Sequence, residues 1–158
     1  MNHCPRRSLL AMTVCSLVAA GGMHAQDQSP LTDLYPFDRY PVKHVYAGKP
    51  AAPKLITPTE REFQTVLRKG AAKGTNFAGH YAVVEWGCGS NCISFAVIDA
   101  LTGTVYEHNP PVNDEYPCGL TYKPESTLFV VSKGSTANGD CKPHLYNWNG
   151  SEFLPIQP

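Results

Sequence analysis

His80-Tyr81-Ala82-Val83-Val84-Glu85-Trp86, then Gly87-Cys88-Gly89-Ser90-Asn91-Cys92, then Ile93-Ser94-Phe95-Ala96-Val97-Ile98 decide how this chain folds. The first run is aromatic and β-branched, and the last is nearly all apolar, so both read as strands and the second as a buried one. Between them lies a loop bracketed by two cysteines. Such a loop is small, rigid and exposed, which suits recognition better than chemistry.

Working outward, Asp99-Ala100-Leu101-Thr102-Gly103 turns the chain into a third strand over 104–107, with Asp99 expected to cap the turn. Beyond a proline-rich loop, 119–123 and 127–132 read as a second pair. Strands over 145–148 and 152–156 flank Asn149-Gly150-Ser151, a strong hairpin signal. Sequential hairpins imply an antiparallel meander of six or seven strands. No parallel βαβ unit and no internal repeat is visible.

Upstream, one helix is well signalled. Thr57-Pro58-Thr59-Glu60 supplies an N-cap, a first-position proline and a third-position glutamate, and Thr59 to Glu62 repeats the capping box. Phe63, Val66 and Leu67 share one face, and Gly70 is the expected stop. The fold class is α+β: a disulfide-stapled meander over 57–158 with one N-terminal helix packed on it. Before it, residues 26–56 hold Pro30, Pro36, Pro41, Pro50 and Pro53, which preclude a regular helix and predict an extended arm. Tyr35, Phe37, Tyr40, Val42 and Val45 are available to pin that arm across a sheet.

The first 25 residues read as an export signal, with Arg6 and Arg7 ahead of an apolar core from Leu9 to Ala20. Cleavage after Ala25 is expected, with Gly22 as the alternative, and the paired arginines leave twin-arginine export open. The core is too short for a stop-transfer helix, so no membrane insertion is expected. The mature chain should be periplasmic or secreted. The full sequence balances 13 basic against 13 acidic side chains, and losing Arg6 and Arg7 leaves it slightly acidic. No basic cluster remains, which argues against nucleic acid as a partner.

Cys88, Cys92, Cys118 and Cys141 survive processing, an even number that points to two disulfides in an oxidising compartment. Three pairings are possible. Cys88–Cys92 with Cys118–Cys141 is favoured, because a turn brings cysteines four apart to bonding distance. A four-cysteine zinc site is the competing arrangement.

No catalytic constellation stands out. Cys92 opens an apolar strand, which offers none of the field that lowers the pKa of a nucleophilic thiol. His80, between Gly79 and Tyr81, is the best-placed histidine, either as a base or as a shaper of its turn. His44, His108 and His144 show no metal-ligand spacing, and no phosphate loop, serine elbow or zinc-protease motif appears. No metal or cofactor is expected. Glu85 should lie on a solvent face.

Asn76-Phe77-Ala78-Gly79-His80-Tyr81, Trp86-Gly87-Cys88-Gly89 with Cys92, and Asp99 to Tyr106 together resemble a family of small exported bacterial proteins. That resemblance implies export and fold type and does not bear on activity. Cys141-Lys142-Pro143-His144 is similar to the start of the inhibitory loop of Ivy-type periplasmic lysozyme inhibitors, in which the histidine enters the enzyme cleft. Leu145-Tyr146 stand where that loop has Asp-Cys, so no local ring closes here.

The expected function is an envelope binding module, of the inhibitor or immunity type, whose partner is another envelope protein. Trp86, Ser90, Asn91, His80 and His144 are the candidate contacts. The alternative is an enzyme of unfamiliar type built around His80.

Overall fold

The computed structural model describes residues 34–89, 92–107, 117–134 and 139–157, with the main chain alone at 88, 89, 92 and 117. The export signal, the start of the arm, Ser90, Asn91 and the thiols of Cys88 and Cys92 lie outside the described residues.

Among the described residues, seven strands form two antiparallel sheets. The first contains β1 (Tyr81–Gly89), β2 (Cys92–Asp99) and β3 (Val105–Tyr106) in that order. The second contains β4 (Pro117–Tyr122), β5 (Leu128–Lys133), β6 (Lys142–Trp148) and β7 (Phe153–Pro155), also in chain order. The expected single meander is thus divided after β3. Each half keeps the hairpin-to-hairpin order that the turns encode.

Side-chain alternation explains the division. Tyr81 and Val83 of β1 and Phe95 and Val97 of β2 share a core with Phe129, Val131, Tyr146, Trp148 and Phe153 of the second sheet. The inner faces of both sheets therefore meet there, and Phe77 fills the centre with no exposed surface. The opposite faces are covered as well. Val84, Ala96 and Ile98 pack against Leu67 and Ala71 of the helical segment. Leu128 and Val130 pack against Phe37, with Tyr35 and Tyr40 alongside. A strand segment covered on both faces must be apolar at every position, and this is why Phe95 to Ile98 of β2 and Leu128 to Val131 of β5 are unbroken hydrophobic runs.

The helical segment differs from expectation in two ways. It is two short helices, α1 (Pro58–Glu62) and α2 (Gln64–Ala71), hinged at Phe63, whose φ of −92° and ψ of 15° leave the helical region. Of the two capping boxes, Thr57 with Glu60 forms: the Thr57 hydroxyl accepts from Glu60 N–H at 3.1 Å and the Glu60 carboxylate from Thr57 N–H at 2.8 Å. Gly70 does not stop the helix but lies inside α2. Its reason is close approach, since a Cβ there would collide with the Val84 side chain.

The arm runs along the second sheet. Ser126 is buried, its hydroxyl 2.9 Å from the carbonyls of both Phe37 and Tyr40, and Thr127 N–H donates to Tyr40 O at 2.9 Å. Further on, Tyr46 N–H donates to Gly79 O at 2.8 Å and Ala51 N–H to Ala100 O at 2.8 Å. The arm is thereby stitched to both sheets. A disulfide joins Cys118 to Cys141, with Cα atoms 5.9 Å apart, and so ties the start of β4 to the residue before β6.

Candidate functional site

The β1–β2 hairpin is fixed at its base by the residues between α2 and β1. Asn76 works as a one-residue strand. Its Oδ1 accepts from Val83 N–H at 2.7 Å and its Nδ2 donates to Val83 O at 3.0 Å, which completes the β1 ladder on its outer side. Phe77 and Tyr81 then close a tight loop by exchanging backbone bonds of 3.0 Å. At the turn Gly79 has φ of +85° and would place a Cβ 2.8 Å from His44 O, so both conformation and space demand glycine. Ala78 and Gly79 donate to the carbonyls of Lys123 and Pro124, which anchors the loop to the second sheet.

The other base of the hairpin is the Asp99 turn. Its buried carboxylate accepts from Leu101 N–H at 2.7 Å, Thr102 N–H at 3.3 Å and the Thr102 hydroxyl at 2.9 Å. Three donors offset the desolvation of that charge. Asp99 therefore caps the turn as expected, and Ala100 N–H donates to His80 O at 2.8 Å, joining the two bases.

Among the described residues, the outer edge of β1 is open past Val83. In an antiparallel strand alternate residues turn both backbone groups to the same side. Val83 turns its pair outward onto Asn76, so Glu85 and Gly87 turn theirs outward too. Nothing among the described residues pairs with those groups. Beside them lies a cleft of about 440 Å³, walled on one side by Lys69, Gly70 and Lys73, floored by Val83 to Glu85 and closed by Tyr122. Lys69 and Lys73 have no carboxylate partner among the described residues. The Glu85 carboxylate is exposed and accepts from the Tyr122 hydroxyl at 2.8 Å. Burial, and then the neighbouring Glu85, push the Tyr122 phenol well above its ordinary pKa.

The structure spreads the predicted contact residues apart. Trp86 lies on the helix side of β1, half-buried, with its ring centroid 5.0 Å from that of Phe63 and its Nε1 without a partner among the described residues. His80 sits at the opposite end of β1, half-buried, its ring 4.2 Å from that of Tyr81. His144 is exposed in the other sheet, opposite Val131. Ser90 and Asn91 are outside the described residues. Because Cys141 bonds Cys118, the segment Cys141 to His144 runs straight into β6 rather than forming a ring, and the zinc alternative loses two of its four thiols.

Sequence reasoning missed the cleft. Asn76 and Glu85 carried faint signals, a polar residue just before a tight loop and a carboxylate inside an apolar strand. Lys69 reads in sequence as a helix-end charge and Tyr122 as part of the 119–123 strand, while Lys73 carries no signal of its own. No helix among the described residues is long and apolar enough to cross a membrane. Compared with models of known families, with curated proteins and with solved structures, the chain matches none.

Proposed function

We propose that this chain is an exported protein-binding module of the cell envelope, of the inhibitor or immunity type, which presents the distal half of the β1–β2 hairpin to its partner. The observation that carries the reading is the contrast between the two ends of that hairpin. Its base is fixed by the Asn76 and Asp99 bonds, while Glu85 and Gly87 at the other end are exposed and Trp86 is half-exposed between them. A pre-ordered hairpin loses little conformational entropy on docking, and tryptophan is the residue most enriched at binding hot spots. In this reading the helical segment braces the hairpin from behind, through Phe63 on Trp86.

Export follows from the signal over residues 1–25, and the partner is accordingly another periplasmic or secreted protein. Ser90 and Asn91, which lie between β1 and β2 in sequence, are further contacts in the same reading. The test is capture from an envelope extract with the full mature chain as bait. A stoichiometric protein should be retained by the wild type and lost with Trp86→Ala. Repeated capture of nothing, or equal capture by both chains, would overturn the reading.

A further inference from the structure

The open edge of β1 is a place for one more strand. We infer that an extended peptide segment of the partner adds to the sheet alongside Glu85 and Gly87 and places an acidic side chain between Lys69 and Lys73. The inference rests on the binding-module reading and names the chemistry of its partner.

Three independent observations converge on it. First, the outward N–H and C=O groups of Glu85 and Gly87 offer two donors and two acceptors at strand spacing, the arrangement that β-strand addition uses. Second, Gly87 is not required by its surroundings. Its φ is not positive, and among the described residues a Cβ there would meet nothing within 4 Å. A glycine in a strand that neither packing nor conformation demands leaves room for another backbone to approach. Third, the cleft beside the edge has walls of different chemistry. Lys69 and Lys73 stand on the α2 side, while the Tyr122 phenol and the Glu85 carboxylate stand on the other.

An added strand alternates its side chains between those walls. Residues pointing to α2 meet two ammonium groups with no carboxylate partner among the described residues, and an aspartate or glutamate complements them. Residues pointing the other way meet Glu85 and suit a hydroxyl or a cation. Asn76 already occupies the ladder at Val83, so it sets where the peptide ends. A second copy of this chain fits the edge poorly. Pairing β1 with β1 about a two-fold axis would line Lys69 and Lys73 of both copies along one seam, where like charges repel.

The test uses the full mature chain and a library of linear peptides displayed on phage, followed by amide exchange with the best synthetic peptide. Glu85 and Gly87 amides should exchange fast in the free protein, whereas Val84, which faces β2, is protected. Saturating peptide should slow the first two at least tenfold. Enriched peptides should share an acidic residue, and Lys69→Glu with Lys73→Glu should weaken binding at least tenfold. Methylating alternate backbone nitrogens of the peptide should abolish binding, a control that leaves the protein untouched. No enrichment, unchanged exchange on binding, or protection that grows with protein concentration alone would each overturn strand addition. A captured protein that is lost with Trp86→Ala, yet leaves Glu85 and Gly87 unprotected, would keep the binding module and remove only this mode of contact.

Discussion

The Tyr122 phenol on β4 donates to the Glu85 carboxylate on β1 at 2.8 Å, a tie between the two sheets beside the open strand edge. Burial raises the Tyr122 pKa first and the carboxylate adds to it, while burial alone raises Tyr146 and leads the shifts of Tyr81 and Tyr106. A raised folded pKa means that the folded state holds its proton where the unfolded chain, with a tyrosine pKa of about 10, has lost it. Stability from these groups is full below that value and falls as pH rises toward the folded pKa values. Thermal melts taken upward from about pH 8 should therefore show Tm dropping above about pH 10. Tyr122→Phe should flatten that drop, and an equally steep fall in the variant would refute the assignment.

Removing the Asn76 amide should expose the same edge one step earlier. Val83 is buried, and its N–H and C=O are both satisfied by that one side chain. Asn76→Ala strands two backbone groups and should cost about 1–3 kcal/mol in urea unfolding. Asn76→Asp keeps an acceptor for Val83 N–H but sets a carboxylate against Val83 O, so it should be no milder. Val83 amide exchange should accelerate in both variants.

Gly70→Ala tests the contact between α2 and β1. Alanine improves helix propensity by about 1 kcal/mol, but its methyl meets Val84, whose β-branched side chain is buried and stiff. Overpacking costs about 1–3 kcal/mol, so the variant should be destabilised on balance. Gly87→Ala, with nothing within 4 Å of the new methyl, should fold with wild-type stability. If Gly70→Ala were the more stable of the two, the close approach of α2 to β1 would be wrong.

Cys141→Ser should remove about 2–5 kcal/mol, because the Cys118–Cys141 link closes a loop with a sequence separation of 23. Non-reducing peptide mapping should yield a peptide joining these two cysteines. Cys92→Ser, which opens a shorter loop in the expected Cys88–Cys92 ring, should cost less. A mapped link between Cys92 and Cys118 would contradict both the bond and that ranking.

Strand content was legible because turn chemistry and alternation act locally. Asp99 and Asn149-Gly150 mark their turns without help from distant residues, and each now caps or closes a hairpin. Strand ends and sheet membership were less legible, since they depend on partners. β6 begins at Lys142 because it pairs with Lys133, beside the disulfide, and Pro143 is tolerated because β7 pairs only with Tyr146 to Trp148. Gly70 misled for a similar reason. In sequence it looks like a helix stop, and only the closeness of Val84 explains it. The cleft was the least legible feature, because Lys69, Glu85 and Tyr122 come together through the packing of three separate elements.

The arm that covers β5 also sets an order of events during synthesis. Phe37 and Ser126 bond across 89 residues, so the arm is made long before the strand that receives it. Wherever the chain emerges N-terminus first, Tyr35, Phe37 and Tyr40 wait for their seat. Meanwhile any β5 face from a neighbouring chain is an equivalent seat. The segment that completes the monomer is thus also the one best placed to be exchanged between two chains.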